Sequence, residues 1–265
     1  MQEITILKEP SASFPFVLVD KPSELSSAPL LPHGSDDAFS QAAALFPELR
    51  AVVGRKPEEH GLLHRLDKRT AGLLLIAATQ ESYDCLQEEQ AAGRFWKSYR
   101  AECSIAPENA DVLGGFPPRR PLPPEWNAAP ESSWEVRSYF RNFGSSSREV
   151  RPVTEQSGRA AQKKTSSTKV YRTYMYIISR TDGRADVSCR ISSGYRHQVR
   201  CHLAWCGLPV IGDELYNAAD RLTEQGEKAG LHFSATELDF YNPAARRQAH
   251  ATREPFLYSE SGELR

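Results

Sequence analysis

The chain has 265 residues, 40% of them hydrophobic and 25% charged, with a formal net charge of −1. That is enough apolar material for one large core or two small ones. The near-neutral balance excludes a protein that grips nucleic acid over its whole surface, so any such affinity must come from local segregation of charge. The five cysteines (Cys85, Cys103, Cys189, Cys201 and Cys206) are odd in number and form no C-x-x-C pair, which favours reduced thiols in a cytoplasm over a disulfide framework.

In chain order, Phe16-Val17-Leu18-Val19 reads as a short strand closed by the turn Asp20-Lys21-Pro22-Ser23. Residues Asp36 to Leu49 place Phe39, Ala42, Ala43, Leu45 and Phe46 on one helical face. The run Leu73-Leu74-Leu75-Ile76-Ala77-Ala78 predicts a buried strand, and Thr79 predicts the cap of a helix that Gly93 stops. Trp96 to Cys103 alternates as a half-buried strand. From Ala106 to Lys169 the pattern breaks: prolines crowd its first part, and regular structure is not expected until a strand at Val170 to Ser179. Asp182-Gly183 predicts a hairpin into Ala185 to Ile191. A helix follows at Gln198 to Cys206, stopped by Gly207, then a late strand at Leu238 to Phe240 and a polar tail. Short strands interleaved with few helices predict an α+β fold rather than a doubly wound sheet.

The densest chemistry is His64-Arg65-Leu66-Asp67-Lys68-Arg69-Thr70-Ala71-Gly72, one carboxylate among four basic or potentially basic side chains, running directly into the aliphatic strand. Nearby cations favour an ionised Asp67. On charge alone this is a solvated ion-pair cluster or a phosphate-facing site, and the two stay open. The order H-R-L-D-x-x-T-x-G before a strand resembles the central signature of the RluA-like RNA pseudouridine synthases. Further segments resemble the same family in order: Lys97-Ser98-Tyr99-Arg100-Ala101, then Gly194-Tyr195-Arg196-His197-Gln198-Val199-Arg200-Cys201-His202-Leu203-Ala204 with Gly207-Leu208-Pro209-Val210-Ile211-Gly212-Asp213, and Ser234 to Pro243. The opening Val19-Asp20-Lys21-Pro22-Ser23 is similar as well. Departures are Ala71 for the usual Ser, Tyr195 for the Arg after Gly194, and Ser234 and Asn242 where His is common.

The resemblance implies a pseudouridine synthase fold, a central, mostly antiparallel mixed sheet flanked by helices with the active-site cleft across it. Its extent implies a catalytic domain over 16–250, an N-terminal extension over 1–15, a Pro-rich then basic insertion over 106–169, and a polar tail over 251–265. An S4-type RNA-binding domain upstream is not expected. The implied catalytic residues are Asp67, as nucleophile on the sugar or as base at the ribose; Tyr99, stacking on the uracil; and Arg200, pairing with Asp67. Arg65 matches the side chain that fills the space of a flipped-out base, or is otherwise a phosphate clamp. Lys68, Arg69, Arg196 and His197 are the further RNA-binding candidates. His64, His197 and His202 read more simply as hydrogen-bonded structural imidazoles.

Between Arg137 and Arg172 nine Lys or Arg stand against two Glu, interleaved with Tyr139, Phe140, Phe143 and Tyr171. That texture suits single-stranded RNA, with Arg141, Arg148 and Arg151 as phosphate contacts, or else a solvated loop. No glycine-rich nucleotide loop occurs, and Cys201, Cys206, His197 and His202 match no common zinc spacing, so neither cofactor nor metal is expected. The expected partner is ribosomal or transfer RNA, with no membrane (no apolar run nears the roughly 18 residues of a bilayer span) and a monomeric chain. The rival readings are a non-catalytic RNA-binding protein or RNA chaperone, and a glycoside hydrolase, which would need a second matched carboxylate.

Overall fold

A computed structural model describes residues 2–29, 36–115, 117–127, 133–144, 146–217 and 229–261. It divides into two compact units, one of Met1–Ser98 with Ser234–Arg265 and the other of Tyr99–Phe233. Both are built of strands with few helices, so the fold is α+β.

In the first unit, β1 (Thr5–Lys8) and β2 (Phe16–Lys21) pair antiparallel, and β2 pairs antiparallel with β3 (Ala71–Ala77). The sheet is buried on both faces, which is why β3 reads as a continuous apolar run rather than an alternating one. Leu73, Leu75 and Ala77 enter one core with Phe16, Leu18, Tyr83 and Leu86. Leu74 and Ile76 enter the other with Val17, Val19, Phe39, Ala42 and Ala43. The two helices therefore cover opposite faces. α1 (Ala38–Leu45) brings Phe39, Ala42 and Ala43, and α2 (Gln80–Ala91) brings Tyr83 and Leu86. Their N-caps are Asp37, accepting from Ser40 N at 2.9 Å, and Thr79, accepting from Ser82 N at 3.2 Å. α1 is shorter than the predicted span because Pro47 opens a separate 3₁₀ turn, Pro47–Ala51.

The chain passes to the second unit within β4 (Trp96–Ser104). There β5 (Ser133–Phe143) pairs antiparallel with both β6 (Glu149–Val153) and β7 (Tyr171–Thr181), and β7 with β8 (Arg184–Ile191). Gly183, at φ 77°, makes the predicted Asp182-Gly183 turn. A short helix, α3 (Arg159–Lys163), lies between β6 and β7. The helix α4 (Gln198–Trp205), buried along its whole length, lies against β6 and β7. The strand β9 (Phe233–Asn242) returns to the first unit, running parallel to β3 and antiparallel to β10 (Arg247–Thr252), which pairs with β11 (Leu257–Ser261).

Two segments are more ordered than their composition suggests. The stretch expected to be irregular holds β5, in which buried Val136, Ser138 and Phe140 alternate with more exposed Glu135, Arg137 and Tyr139. Its first part is irregular but anchored, because arginines supply the donors that prolines lack. Arg119 Nη1 donates to the carbonyls of Ala106, Pro107 and Ala110, Arg120 Nη2 donates to Glu135 O at 3.0 Å, and Trp205 Nε1 donates to Pro118 O at 2.7 Å. The polar tail is also paired as far as Ser261, since polar side chains on an edge hairpin leave the backbone free to bond. β1 likewise extends the sheet into the segment read as an N-terminal extension.

Gly72 sits at φ 119°, where β3 meets β9, and a Cβ there would run into the Ala235 carbonyl. Gly183 has positive φ but open space around it. Gly183→Ala is expected to cost about 1–2 kcal/mol, and Gly72→Ala about 4 kcal/mol or more. Urea unfolding of the two variants checks the contrast, and equal losses would refute the close-approach argument.

Candidate active site

Asp67 stands on the short loop that leads into β3 in the first unit, half-buried, in a turn closed by Thr70 N donating to Asp67 O at 2.9 Å. Both of its neighbours are fixed through their backbones. Leu66 uses its N–H and its carbonyl on Ser27 Oγ, each at 2.9 Å. Lys68 O accepts from the buried ammonium of Lys21 at 3.2 Å, which also donates to Leu25 O at 2.7 Å and Pro22 O at 2.9 Å. Ser23 Oγ adds a bond to Arg69 O at 2.8 Å. Burial pulls the Lys21 ammonium down to about 8, and the negative charge of Asp67 is the largest effect opposing that fall. Lys21 and Ser27 were not singled out from sequence, although Lys21 lies in the quoted Asp20-Lys21-Pro22-Ser23 turn.

The flanking cations take different surroundings. Arg65 is exposed and pairs with Glu59 at 2.9 Å; Arg69 Nε pairs with Glu24 at 3.1 Å; Lys68 is exposed. Exposed pairs such as Arg65–Glu59 contribute little to stability. His64 is buried and accepts from Leu75 N at 3.3 Å. Burial, reinforced by the charge of Lys97, holds its imidazole well below its ordinary value and therefore neutral.

The second unit carries Tyr99 and Arg200. Tyr99 is buried and stacked on Phe233, ring centroids 5.1 Å apart and 7° from parallel. Arg200, in α4, forms a bidentate pair with Asp213, Nε to Oδ2 and Nη2 to Oδ1 each at 2.7 Å, both side chains almost fully buried. Burial alone would raise the Asp213 carboxyl. The bond to Arg200, its charge, and the Leu215 and Tyr216 N–H groups outweigh that and hold the carboxyl below its ordinary value. Asp213 closes the quoted Gly207 to Asp213 segment, so the signal was present but no role was assigned to it. Tyr216 went unnoticed. Its ring lies 5.6 Å from the Arg200 guanidinium, and its hydroxyl accepts from Val150 N at 2.9 Å and meets His197 Nδ1 at 3.2 Å.

His197, expected on RNA, is the left-handed N-cap of α4 (φ 55°) and is already engaged with Tyr216. Arg196 Nη2 holds the β5–β6 turn through Asn142 Oδ1 at 3.0 Å and the carbonyls of Ser147 at 2.5 Å and Glu149 at 3.3 Å. Arg141 and Arg151 face each other across β5 and β6 with Phe143 between them, 4.9 and 4.5 Å from its ring. Burial, then the charge of Arg151, lowers the Arg141 guanidinium. Arg151 is buried and paired with Glu149 at 2.8 Å, whereas Arg148 points into solvent. His202 is bonded through both nitrogens, to Ser138 Oγ at 3.0 Å and Thr173 Oγ1 at 2.9 Å, and burial takes it down to about 3, a neutral structural imidazole.

The family model described as RNA pseudouridylate synthase matches residues 15–205. Ribosomal large subunit pseudouridine synthase D of Xanthomonas campestris is 27% identical over 249 residues, covering 93% of this chain and 60% of that protein. Dual-specificity RNA pseudouridine synthase RluA of Vibrio vulnificus is 27% identical over 240 residues, 90% of this chain and 78% of that protein. The chain thus spans about 60% of the length of the first of these relatives. Among solved structures, Human RNA Pseudouridylate Synthase Domain Containing 1 superposes with a TM-score of 0.60 at 17% identity, covering 100% of this chain and 91% of that one. Domain Containing 4 superposes with a TM-score of 0.59 at 20% identity, over 94% and 87%. These likenesses show that the fold is that of the pseudouridine synthases. With 15–205 matched by the family model, the chain belongs to the RNA pseudouridylate synthase family.

Proposed function

We propose that this protein is an RNA pseudouridine synthase that isomerises uridine to pseudouridine, with Asp67 as its reactive group. The observation that carries the reading is the mounting of Asp67. A single half-exposed carboxylate sits in the family's H-R-L-D context, with Leu66 and Lys68 locked on either side by Ser27 and Lys21. A group that must meet one sugar carbon or one ribose proton gains most from such pre-set geometry. The reaction breaks the uridine N1–C1′ bond, turns the uracil and joins C5 to C1′. The proton released from C5 is matched by one gained at N1, so no redox partner enters. Asp67 serves either as nucleophile at C1′ or as base at the ribose.

In this reading Tyr99 stacks on the uracil, and Arg200 pairs with Asp67 and aims it. Holding Arg200 on Asp213 fixes its guanidinium plane for that task. The target nucleotide must leave its stack to be reached. Arg65 fills its place, and Lys68, Arg69, Arg141 and Arg148 contribute along the strand, whereas Arg151, Arg196 and His197, expected there from the sequence, are committed to Glu149, the β5–β6 turn and Tyr216. The relatives named above are called ribosomal and dual-specificity RNA enzymes, which supports a structured ribosomal or transfer RNA as the substrate. Work as a monomer in a reducing cytoplasm belongs to the same proposal, and the reducing compartment is supported by the free thiols of Cys103, Cys189, Cys201 and Cys206, all buried. Among the described residues, no helix is long and apolar enough to cross a membrane.

Asp67→Asn is expected to lower pseudouridine formation by three orders of magnitude or more, about 4 kcal/mol of transition-state stabilisation. Nucleoside analysis of RNA from cells carrying parent or variant reads this. Equal yields from a folded variant would leave a non-catalytic RNA binder. Arg148→Ala is expected to reduce the slope of log affinity against log salt by about 1 without changing the melting temperature. Arg151→Ala should instead lower stability, because it removes the partner of Glu149 and the cation over Phe143. Filter binding over a salt series, with thermal melts, separates the two.

A further inference from the structure

We propose that Tyr195 is a stacking platform for a nucleobase of the bound RNA, beside and distinct from the base that reacts. This rests on the reading above that the substrate is RNA. Position 195 is where the family pattern carries Arg, and this chain places an aromatic side chain there instead.

The face is built from inside the unit outward. The His202 ring, fully buried in α4, lies on Phe140 of β5 with centroids 4.9 Å apart and 27° between planes. Tyr195 lies on Phe140 at the same 4.9 Å, within 4° of parallel. His202 and Tyr195 make no ring contact with each other, so they take opposite faces of Phe140. Of the three rings only Tyr195 has solvent access, since Phe140 and His202 are both 0% exposed. Tyr171 braces the end of the column from the side, 5.1 Å from Tyr195 and tilted by 56°. The backbone under Tyr195 is fixed too, its N–H donating to Gln198 Oε1 at 3.0 Å, with Gln198 held by Arg172 O and Thr173 Oγ1. Among the described residues the Tyr195 hydroxyl makes no hydrogen bond, so polar anchoring does not account for the side chain. A column of parallel rings that ends half-exposed presents a flat π-face on a rigid base, which is what the next flat ring requires.

The charge around it selects the kind of ring. Lys169 lies 5.9 Å from the Tyr171 ring, and Arg196 follows Tyr195 in sequence. Arg196 bonds only carbonyl-type oxygens, and neither cation pairs with a carboxylate among the described residues. The nearby acids are occupied, Glu135 by Arg172 and Glu149 by Arg151. A π-face with the exposed ammonium of Lys169 nearby fits a base carried on a phosphodiester chain. Stacking is worth roughly 1–3 kcal/mol per base and tolerates any base, so the platform would grip a flanking nucleotide without reading its identity.

The test uses the full chain with two probes of equal charge, decauridylate and an abasic ribose-phosphate decamer, titrated by fluorescence anisotropy at one salt concentration. The parent and Tyr195→Phe are expected to prefer the base-bearing probe, and Tyr195→Leu to bind it about fivefold to tenfold more weakly with no change on the abasic probe. Equal weakening on both probes, or none on either, overturns the platform. Should Tyr195→Leu melt early, Tyr195→Trp decides: a stronger base preference supports the proposal and an unchanged one overturns it. A parent that makes pseudouridine while Tyr195→Leu keeps its base preference overturns this inference alone. A parent that binds neither probe and makes no pseudouridine overturns the enzymatic reading with it.

Discussion

The strand β3 must be dry on both faces, and much of the first unit follows from that. Leu73, Leu75 and Ala77 commit to one core while Leu74 and Ile76 commit to the other, so a slip of one residue would exchange every side chain between cores shaped for different partners. Register is therefore tightly specified. Asp67 lies only four residues before Ala71, the first residue of β3, so it inherits that definition. Gly72 adds a second constraint, because the parallel contact with β9 at Ala235 leaves no room for a side chain. For the reactive role proposed for Asp67, a rigid mount matters more than a stable loop, and a strand buried on two sides provides one.

The polar groups that complete the mount are costly ones. Lys21 keeps its ammonium out of water, at the price of a pKa drawn down to about 8, and spends its three donors on three backbone carbonyls. Arg200 and Asp213 form a buried ion pair, an arrangement whose desolvation often cancels its attraction. Neither is a cheap source of stability, since desolvation offsets much of what each interaction gains. What both provide is direction. A forked guanidinium gripped at two atoms by a carboxylate cannot rotate, and a carbonyl held by an ammonium fixes the peptide beside Asp67.

The fold was legible where periodicity and turn chemistry agreed. Thr79 capped its helix, Gly183 turned its hairpin, and the apolar run at Leu73 became a central strand. β5 was obscured by its own charges: Glu135, Arg137 and Arg141 sit among the apolar residues, and only their alternation with Val136, Ser138 and Phe140 betrays a half-buried strand. The order of motifs singled out Asp67, Tyr99 and Arg200 as candidates. It could not show that Asp213 would grip the Nε–Nη2 side of the Arg200 guanidinium, since that bond joins residues from a helix and a following loop. Lys21 was hidden for a plainer reason: a lysine in a polar turn looks exposed, and only the folded chain shows three carbonyls closing over it.

The same distinction governs the basic residues as a class. A count of nine cations between Arg137 and Arg172 suggests a broad RNA-facing surface. Several arginines of the second unit are instead internal fasteners: Arg119 and Arg120 tie down a proline-rich backbone, Arg151 pairs with Glu149, and Arg200 with Asp213. A guanidinium satisfied by buried carbonyls or carboxylates is not available to phosphate without unfolding what it holds. Exposed residues such as Arg148 and Lys169, without a carboxylate partner among the described residues, can bind phosphate with no such loss. The electrostatic footprint of this protein is therefore smaller and more local than its composition implies. On the RNA-binding role proposed above, a chain of net charge −1 needs only a few uncommitted cations beside aromatic faces, which give grip without a field strong enough to bind every nucleic acid it meets.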